Sequence, residues 1–266
     1  MNDEGFPAEK IDTSRPHPAR MYDYYLGGRD NYEIDRDAAE RAMAHAPRLR
    51  DSARANRAFL LRAVRVLVRD HRVRQILDLG TGIPTSPNTH EIAQAIAPET
   101  PVVYVDNDPI VSVHAGARLT GVGRTSFVLA DVRQPEEVLS HPEIKAAIDF
   151  DRPVAVLLVA VLQFLTDEDD PWRVVATLRD ALPSGSYLVL SHVTHETLVD
   201  DPTEVLRVYQ SATAALHMRS KAEISRYFEG FELLEPGLVT VAEWRPDAEV
   251  TDHRRFGVYC GVARKP

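Results

Sequence analysis

Two glycines one residue apart follow an apolar run in Ile76-Leu77-Asp78-Leu79-Gly80-Thr81-Gly82-Ile83-Pro84-Thr85. At the carboxyl end of a strand, such a pair lets the backbone turn sharply and lets a ligand approach closely. Open α/β sheets bind their ligands at this place. The dinucleotide fingerprint asks for a third glycine three residues after the second. Thr85 stands there, so a nicotinamide site is disfavoured. No Lys-Ser or Lys-Thr pair follows the glycines, which removes the phosphate-binding P-loop. Taken alone, the turn is also compatible with a tight bend and no ligand.

Two further carboxylates follow apolar runs. Val103-Tyr104-Val105 leads into Asp106, and an acid at that strand end can accept hydrogen bonds from both ribose hydroxyls of a nucleoside. Asp106-Asn107-Asp108-Pro109 could instead cap the next helix. Asp108 suits the cap, with Pro109 at the first helical position, which frees Asp106 to face a ligand. Phe127-Val128-Leu129-Ala130 leads into Asp131-Val132. A carboxylate there can accept from an adenine amino group while the next backbone N–H bonds a ring nitrogen. A turn or helix cap is the plainer alternative.

These three places, in this order, resemble the class I S-adenosylmethionine (SAM)-dependent methyltransferases. The resemblance spans about residues 73–266. It implies that the Asp78–Gly82 turn holds the amino acid part of SAM, Asp106 the ribose and Asp131 the adenine. The cofactor-contacting set it implies is Asp78, Gly80, Thr81, Gly82, Asp106, Asn107, Asp131, Val132 and Ala160. A closer resemblance covers nearly the whole chain. Arg20-Met21-Tyr22-Asp23-Tyr24-Tyr25-Leu26-Gly27-Gly28, and Asp78 to Thr85 with Asn88 and His90, are similar to motifs of a bacterial S-adenosyl methyltransferase family. That resemblance strengthens the cofactor and leaves the methyl acceptor undefined.

The elements that must position these residues follow from periodicity. From residue 73, short apolar runs alternate with helical windows: strands at Gln75–Leu79, Val102–Val105, Ser126–Leu129, Val154–Val159 and Tyr187–Ser191. Helices are expected at Asn88–Ala97, Ile110–Leu119, Pro135–Ser140, Asp170–Ala181 and Thr203–Met218, and one more opens with a Ser220/Glu223 capping box. Two strand-like runs close the chain, Phe231–Leu234 with Leu238–Trp244, and Arg255–Ala263. The fold class is therefore α/β. We expect a doubly wound, Rossmann-like, seven-stranded and mainly parallel sheet with an antiparallel edge hairpin. Before it lie a loosely ordered arm (residues 1–18), the aromatic stretch, and helices at Asp35–Ala46 and Leu49–Asp70. We divide the chain into a helical extension or lid, 1–72, and a SAM-binding domain, 73–266.

The aromatic stretch is expected to cover the SAM pocket. Arg20, Tyr22, Tyr25, Gly28 and Asn31, with Gln163 after the fourth strand, are its candidate lid and substrate-wall residues, since tyrosine combines a flat apolar face with a polar tip. A helix packed on the core and stopped by Gly27-Gly28 is the structural alternative. The motif of nucleobase amino methyltransferases is absent around Ala160–Phe164. Methyl transfer needs little acid–base machinery, so the catalytic residues stay undefined. His192, placed just after the fifth strand, is the first candidate base, then Tyr22 and Asp23. His192 and His195 lack a convincing third ligand, so no metal is expected.

The bulk numbers agree with a small-molecule enzyme. The chain has 266 residues, a net charge of −9, 44% hydrophobic residues and one cysteine, Cys260, expected in the core. Its acidity disfavours nucleic acid as a partner. No apolar run approaches the roughly 20 residues of a membrane span, and the acidic N-terminus lacks a signal pattern, so a cytoplasmic location is expected. The helical N-terminal third could support a homodimer contact. The alternatives to methyl transfer are a non-catalytic binder of SAM or S-adenosylhomocysteine and, behind it, a nicotinamide-dependent oxidoreductase.

Overall fold

A computed structural model describes residues 13–119, 122–198, 201–247 and 256–266. Five strands pair in parallel: β1 (Ile76–Leu79), β2 (Val102–Asp106), β3 (Thr125–Leu129), β4 (Ala155–Val159) and β5 (Tyr187–Val193). β6 (Glu232–Leu233), β7 (Val239–Thr240) and β8 (Val258–Arg264) complete the sheet, and β8 runs antiparallel to β5, β6 and β7. The order is β3-β2-β1-β4-β5-β8-β6. Among the described residues there are thus eight strands rather than seven. The expected run of Phe231–Leu234 with Leu238–Trp244 becomes two short strands, β6 and β7, on either side of a Glu235-Pro236-Gly237 turn in which the Gly237 N–H donates to the Leu234 carbonyl at 2.8 Å. It ends early because the buried Arg62 guanidinium takes the Val241 and Trp244 carbonyls.

The strand period of two sorts the core into two layers. Leu77, Val103, Val156 and Leu188 face α6 (Pro135–Ser140), α7 (Pro142–Ala147) and α8 (Pro171–Ala181). Ile76, Val102, Ala155 and Tyr187 face α3 (Leu49–Arg69), α4 (Thr89–Ile96) and α5 (Pro109–Arg118). α3 buries Phe59, Leu60, Ala63, Val64, Leu67 and Val68 in this second layer. Cys260 is buried in it too. No helix among the described residues is long and apolar enough to cross a membrane.

A third apolar cluster joins α1 (Pro18–Leu26), α2 (Glu33–His45), the start of α3 and α9 (Thr203–Gln210). Its polar anchor is Asp35, fully buried on α2. It accepts from the His17 and Tyr32 N–H groups, each at 2.9 Å, and faces Arg20 Nε at 3.2 Å. One carboxylate thus ties the entry of α1 to the entry of α2. α1 ends at Gly27, φ +86°, as the paired glycines predict.

Two expectations change. Of the arm at residues 1–18, residues 1–12 lie outside the described residues. Pro16 and Pro18 are buried, and the Pro16 carbonyl accepts from Thr213 N–H at 3.0 Å. The helix expected to reach Met218 stops at Gln210, because the next backbone donors go elsewhere: Thr213 to Pro16, His217 to Gln163 and Arg219 to Val193. The last helix, α10 (Lys221–Ser225), does open on the Ser220/Glu223 capping box.

Removing one partner of a buried pair strands the other charge. Asp35→Ala should therefore lower unfolding stability by about 3–5 kcal/mol, read from urea denaturation. A loss below about 1 kcal/mol would remove Asp35 as the anchor of the α1–α2 layer.

Candidate functional site

A cavity of about 470 Å³ lies over the carboxyl ends of β1, β2 and β4, with α1 across its outer side. Asp78, Gly80, Thr81, Gly82, Asp106, Asn107, Asp131, Val132 and Ala160 all line it. The glycine turn explains its shape. Gly80 and Gly82 sit at φ +70° and +65°, a region that L side chains avoid. A Cβ on Gly80 would lie 2.3 Å from Val161, whereas one on Gly82 would meet open space. The Gly80 and Thr81 N–H groups both donate to the Val105 carbonyl, at 2.7 and 3.1 Å, locking the turn onto β2.

Asp106 ties this turn to the next one. Its Oδ2 accepts from Gly82 N–H at 2.8 Å and its Oδ1 from Asp108 N–H at 2.9 Å. Asp108 caps α5 through Ile110 N–H, with Pro109 at the helix start, as expected. Burial pushes the Asp106 carboxyl up to about 6, against the lowering effect of the two N–H donors. Asp78 is pushed to about 6 by burial as well, although Thr89 Oγ1 donates to it at 2.7 Å. Asp131 differs. Burial alone would raise it, but the Arg133 guanidinium and N–H outweigh that and hold it below the usual carboxylate range. The carboxylate expected to meet a base edge is thus already paired with Arg133, itself on the cavity wall.

Arg57 is the wall residue that sequence reasoning missed. It sits on α3 and donates to the Thr85 and Pro87 carbonyls at 2.5 and 2.7 Å. Its Nε is buried with no hydrogen-bond partner. A cationic donor left unpaired beside a cavity is costly unless a ligand completes it. α3 carries many arginines, and nothing in their spacing singles out this one.

A glycine cradle open at Gly82, a strand-end carboxylate with unused lone pairs and an unpaired guanidinium N–H together fit an amino acid joined to a nucleoside. A family model described as S-adenosyl methyltransferase matches residues 4–266. The chain belongs to the S-adenosyl methyltransferase family. It is a SAM-dependent methyltransferase, and neither the non-catalytic nor the nicotinamide alternative is favoured. A DUF574-family protein from Streptomyces avermitilis MA-4680 is 44% identical, with 97% of this chain and 100% of that one covered and a TM-score of 0.92. A candidate methyltransferase from Thermobifida fusca YX is 42% identical, with 98% of each chain covered and a TM-score of 0.91. A SAM-dependent methyltransferase from Anabaena variabilis ATCC 29413, 16% identical with a TM-score of 0.50 over 75% of this chain and 80% of that one, shares the fold. A search of curated proteins returns no match.

In this methyltransferase the proposed lid residues divide. Arg20, Tyr22 and Gln163 line the cavity, as does Asp23, whereas Tyr25, Gly28 and Asn31 do not. Gly28 and Asn31 stand behind Asp23. Asn31 Nδ2 and Asp30 N–H donate to its Oδ2 at 2.7 and 2.9 Å, and a Cβ on Gly28 would fall 2.0 Å from its Oδ1. Arg20 is committed to Asp35. Tyr25 packs in the α1–α2–α9 cluster. The family motif residues Asn88 and His90 also stay off the wall: Asn88 caps α4, and His90 N–H donates to the Tyr104 hydroxyl at 2.8 Å.

His192 is not placed to act as a base. It lies within β5 rather than after it, on the face opposite to Ser191. Its Nδ1 is 2.8 Å from the Val193 carbonyl and its Nε2 3.0 Å from Arg219 Nη1. Burial, with the neighbouring Arg219 charge, lowers its pKa to about 4. This is a neutral ring with both nitrogens engaged. Tyr22 is engaged too: its hydroxyl donates to the Ala53 carbonyl and accepts from Asn56 Nδ2, each at 3.0 Å. Asp23 keeps a carboxyl raised above its usual range by burial, at the cavity edge. Among the described residues, no group of three or more His, Cys, Asp or Glu side chains is placed to hold a metal ion.

The raised carboxyls set a pH dependence. Their folded values near 6 exceed the unfolded value of 3.8. The folded chain therefore holds these two protons more tightly, and the stability they contribute grows as pH falls from about 6 towards 4. Donor binding that uses the Asp106 carboxylate should move the opposite way. SAM affinity, measured by calorimetry, should fall about tenfold from about pH 7 to about pH 5, and less steeply in Asp106→Asn. A flat wild-type profile would mean that Asp106 is ionised throughout or makes no contact.

Proposed function

We propose that this enzyme transfers the SAM methyl group to a small-molecule acceptor, and that its own residues act mainly by positioning. The glycine turn and Arg57 would hold the amino acid end of the donor, with Arg57 Nε meeting its carboxylate. Asp106, with Asn107, would accept from the ribose hydroxyls through lone pairs left over from Gly82 and Asp108. Asp131, Val132 and Arg133 would bound the adenine. When bound, SAM supplies a methyl group already activated by a sulfonium centre. No strong base is then required of the protein, in keeping with the engaged state of His192 and Tyr22.

The observation that carries this reading is the gathering of Gly82, Asp106, Asp131 and the unpaired Arg57 Nε around one cavity. α1 contributes the outer wall, and the hydrogen-bond chain Ser191–Asn56–Tyr22–Ala53 fixes it to α3 and β5. Ser191 Oγ also receives the Ala160 N–H at 3.0 Å. The end of β4, where the donor methyl group is expected, is thereby joined to the lid. A concave site walled on its outer side by α1 favours an acceptor of limited size over a polymer.

Calorimetry with SAM, S-adenosylhomocysteine, 5′-methylthioadenosine and NAD, after removal of any co-purified ligand, tests these roles. Arg57→Met should weaken both amino-acid-bearing ligands by about tenfold or more and spare 5′-methylthioadenosine, which lacks the carboxylate. Asp106→Asn should weaken all three adenosyl compounds, since a hydrogen bond to a charged group is worth roughly 1.5–3 kcal/mol. Binding of NAD alone would overturn the reading. Equal losses for all three compounds in Arg57→Met would move Arg57 from ligand contact to loop support.

A further inference from the structure

A second chamber of about 80 Å³ adjoins the large cavity. Tyr22, Asn56, Ala160, Gln163 and Tyr209 line both. We infer that this chamber seats the methyl acceptor and that the acceptor is a small, uncharged aromatic ring compound. The inference rests on the methyl-donor reading of the large cavity.

Position comes first. Ala160 follows β4 at φ +59° and presents only a methyl group where the two spaces meet. A bulkier side chain there would fill the junction. The donor wall is rich in carboxylates, and the chamber beyond Ala160 is not. Its surface is built from Tyr25, Leu49, Val205, Tyr209, Leu216 and Phe256, among others. No carboxylate and no lysine lines it among the described residues, and Arg48 is its one charged side chain.

The polar atoms on this wall are largely spoken for. The Tyr209 hydroxyl donates to that of Tyr25 at 3.3 Å. Tyr22 and Asn56 satisfy each other, and Asn56 Oδ1 also accepts from Ser191 Oγ at 2.6 Å. Arg48 already has an interaction of its own, so a formal charge entering here would lose its hydration without a free counter-charge. A flat ring would keep its apolar contacts and gain aromatic ones. The volume suits one ring, far below the roughly 300–1,000 Å³ of pockets for larger ligands.

Gln163 gives the ring a direction. Its Oε1 accepts from Val193 N–H at 3.2 Å, and its backbone carbonyl accepts from His217 N–H at 2.8 Å. With the amide oxygen held, the NH₂ group is the remaining donor on the shared wall. It can orient an oxygen or nitrogen substituent of the ring towards Ala160. Gln163 is thus a positioning residue for the acceptor.

Saturation-transfer NMR tests this, with phenol and indole as neutral probes and benzoate and benzylammonium as charged probes of similar size. Each is measured with the protein alone and with the protein saturated with S-adenosylhomocysteine. Leu216→Trp fills the chamber without touching the donor cavity, and Leu216→Ala enlarges it. The neutral probes should bind with S-adenosylhomocysteine present, at least about tenfold more tightly than the charged ones. Leu216→Trp should weaken them about tenfold or more, while Leu216→Ala retains them and S-adenosylhomocysteine affinity stays within about twofold in both variants. Equal binding of the charged probes, no effect of Leu216→Trp, displacement of phenol by S-adenosylhomocysteine, or no phenol binding would each overturn the inference. Failure of S-adenosylhomocysteine itself to bind would instead defeat the donor reading, and phenol binding to the protein alone would still report on the chamber.

Discussion

The Asp106 carboxylate is the clamp on which the binding face depends. It sits at the last position of β2, buried, and its two oxygens receive N–H groups from two different loops: Gly82 from the turn after β1 and Asp108 from the turn after its own strand. Parallel pairing of β1 with β2 brings Leu79 opposite Val105, so the two turns emerge side by side and one side chain can span them. The Val105 carbonyl repeats the arrangement with Gly80 and Thr81. Both contacts require glycine φ values that other residues avoid. Glycine spacing, strand register and acid placement are therefore one constraint expressed at three positions.

The outer wall depends on a second carboxylate used in the same way. Asp35 gathers two backbone N–H groups and the Arg20 guanidinium inside the helical layer, leaving no oxygen for a ligand. Several polar residues of the N-terminal stretch have this kind of internal duty. Asp23 is held by Asn31 and Asp30, and Gly28 must be glycine because the Asp23 carboxylate occupies the space of its Cβ. α1 is a helix stopped by glycine and packed on the core, and one of its faces borders the cavity.

Much of this was legible in the sequence. The set of nine wall residues came from the family resemblance, whereas the strand windows, the Asp108 cap and the Gly27 stop follow from periodicity and short motifs. Those are local properties, carried by residues adjacent in the chain. The misreadings concern residues whose partners are distant. Arg57 reaches the Thr85 loop across the fold, and Arg62 removes two carbonyls from the last sheet edge. The segment after Gln210 gives its donors to Pro16, Gln163 and Val193 instead of to a helix. His192 could have been judged better. Along β5, Leu188 and Leu190 face α8, so parity sends His192 to that side and Ser191 to the side of Asn56. Extending the strand by two residues was enough to turn a candidate base into a core residue.

The distribution of polarity across Ala160 bears on how such a site can work without a dedicated base. On one side stand carboxylates and the guanidinium groups of Arg20, Arg57 and Arg133. On the other, the Tyr209 hydroxyl pairs with that of Tyr25, and the Tyr22 hydroxyl pairs with Asn56. Ala160 holds a backbone conformation that is unfavourable for a residue with a Cβ, by an amount of order 1–3 kcal/mol. Its N–H faces both the hydroxyl and the carbonyl of Ser191, at 3.0 and 3.2 Å. That hydroxyl donates onward to Asn56, and Asn56 donates to Tyr22 on α1. The strained residue is thus over-determined by a chain of hydrogen bonds that also fixes part of the wall of the second chamber. A site so arranged applies its free energy to distance and alignment, the terms that matter most when one reactant already carries its own activation.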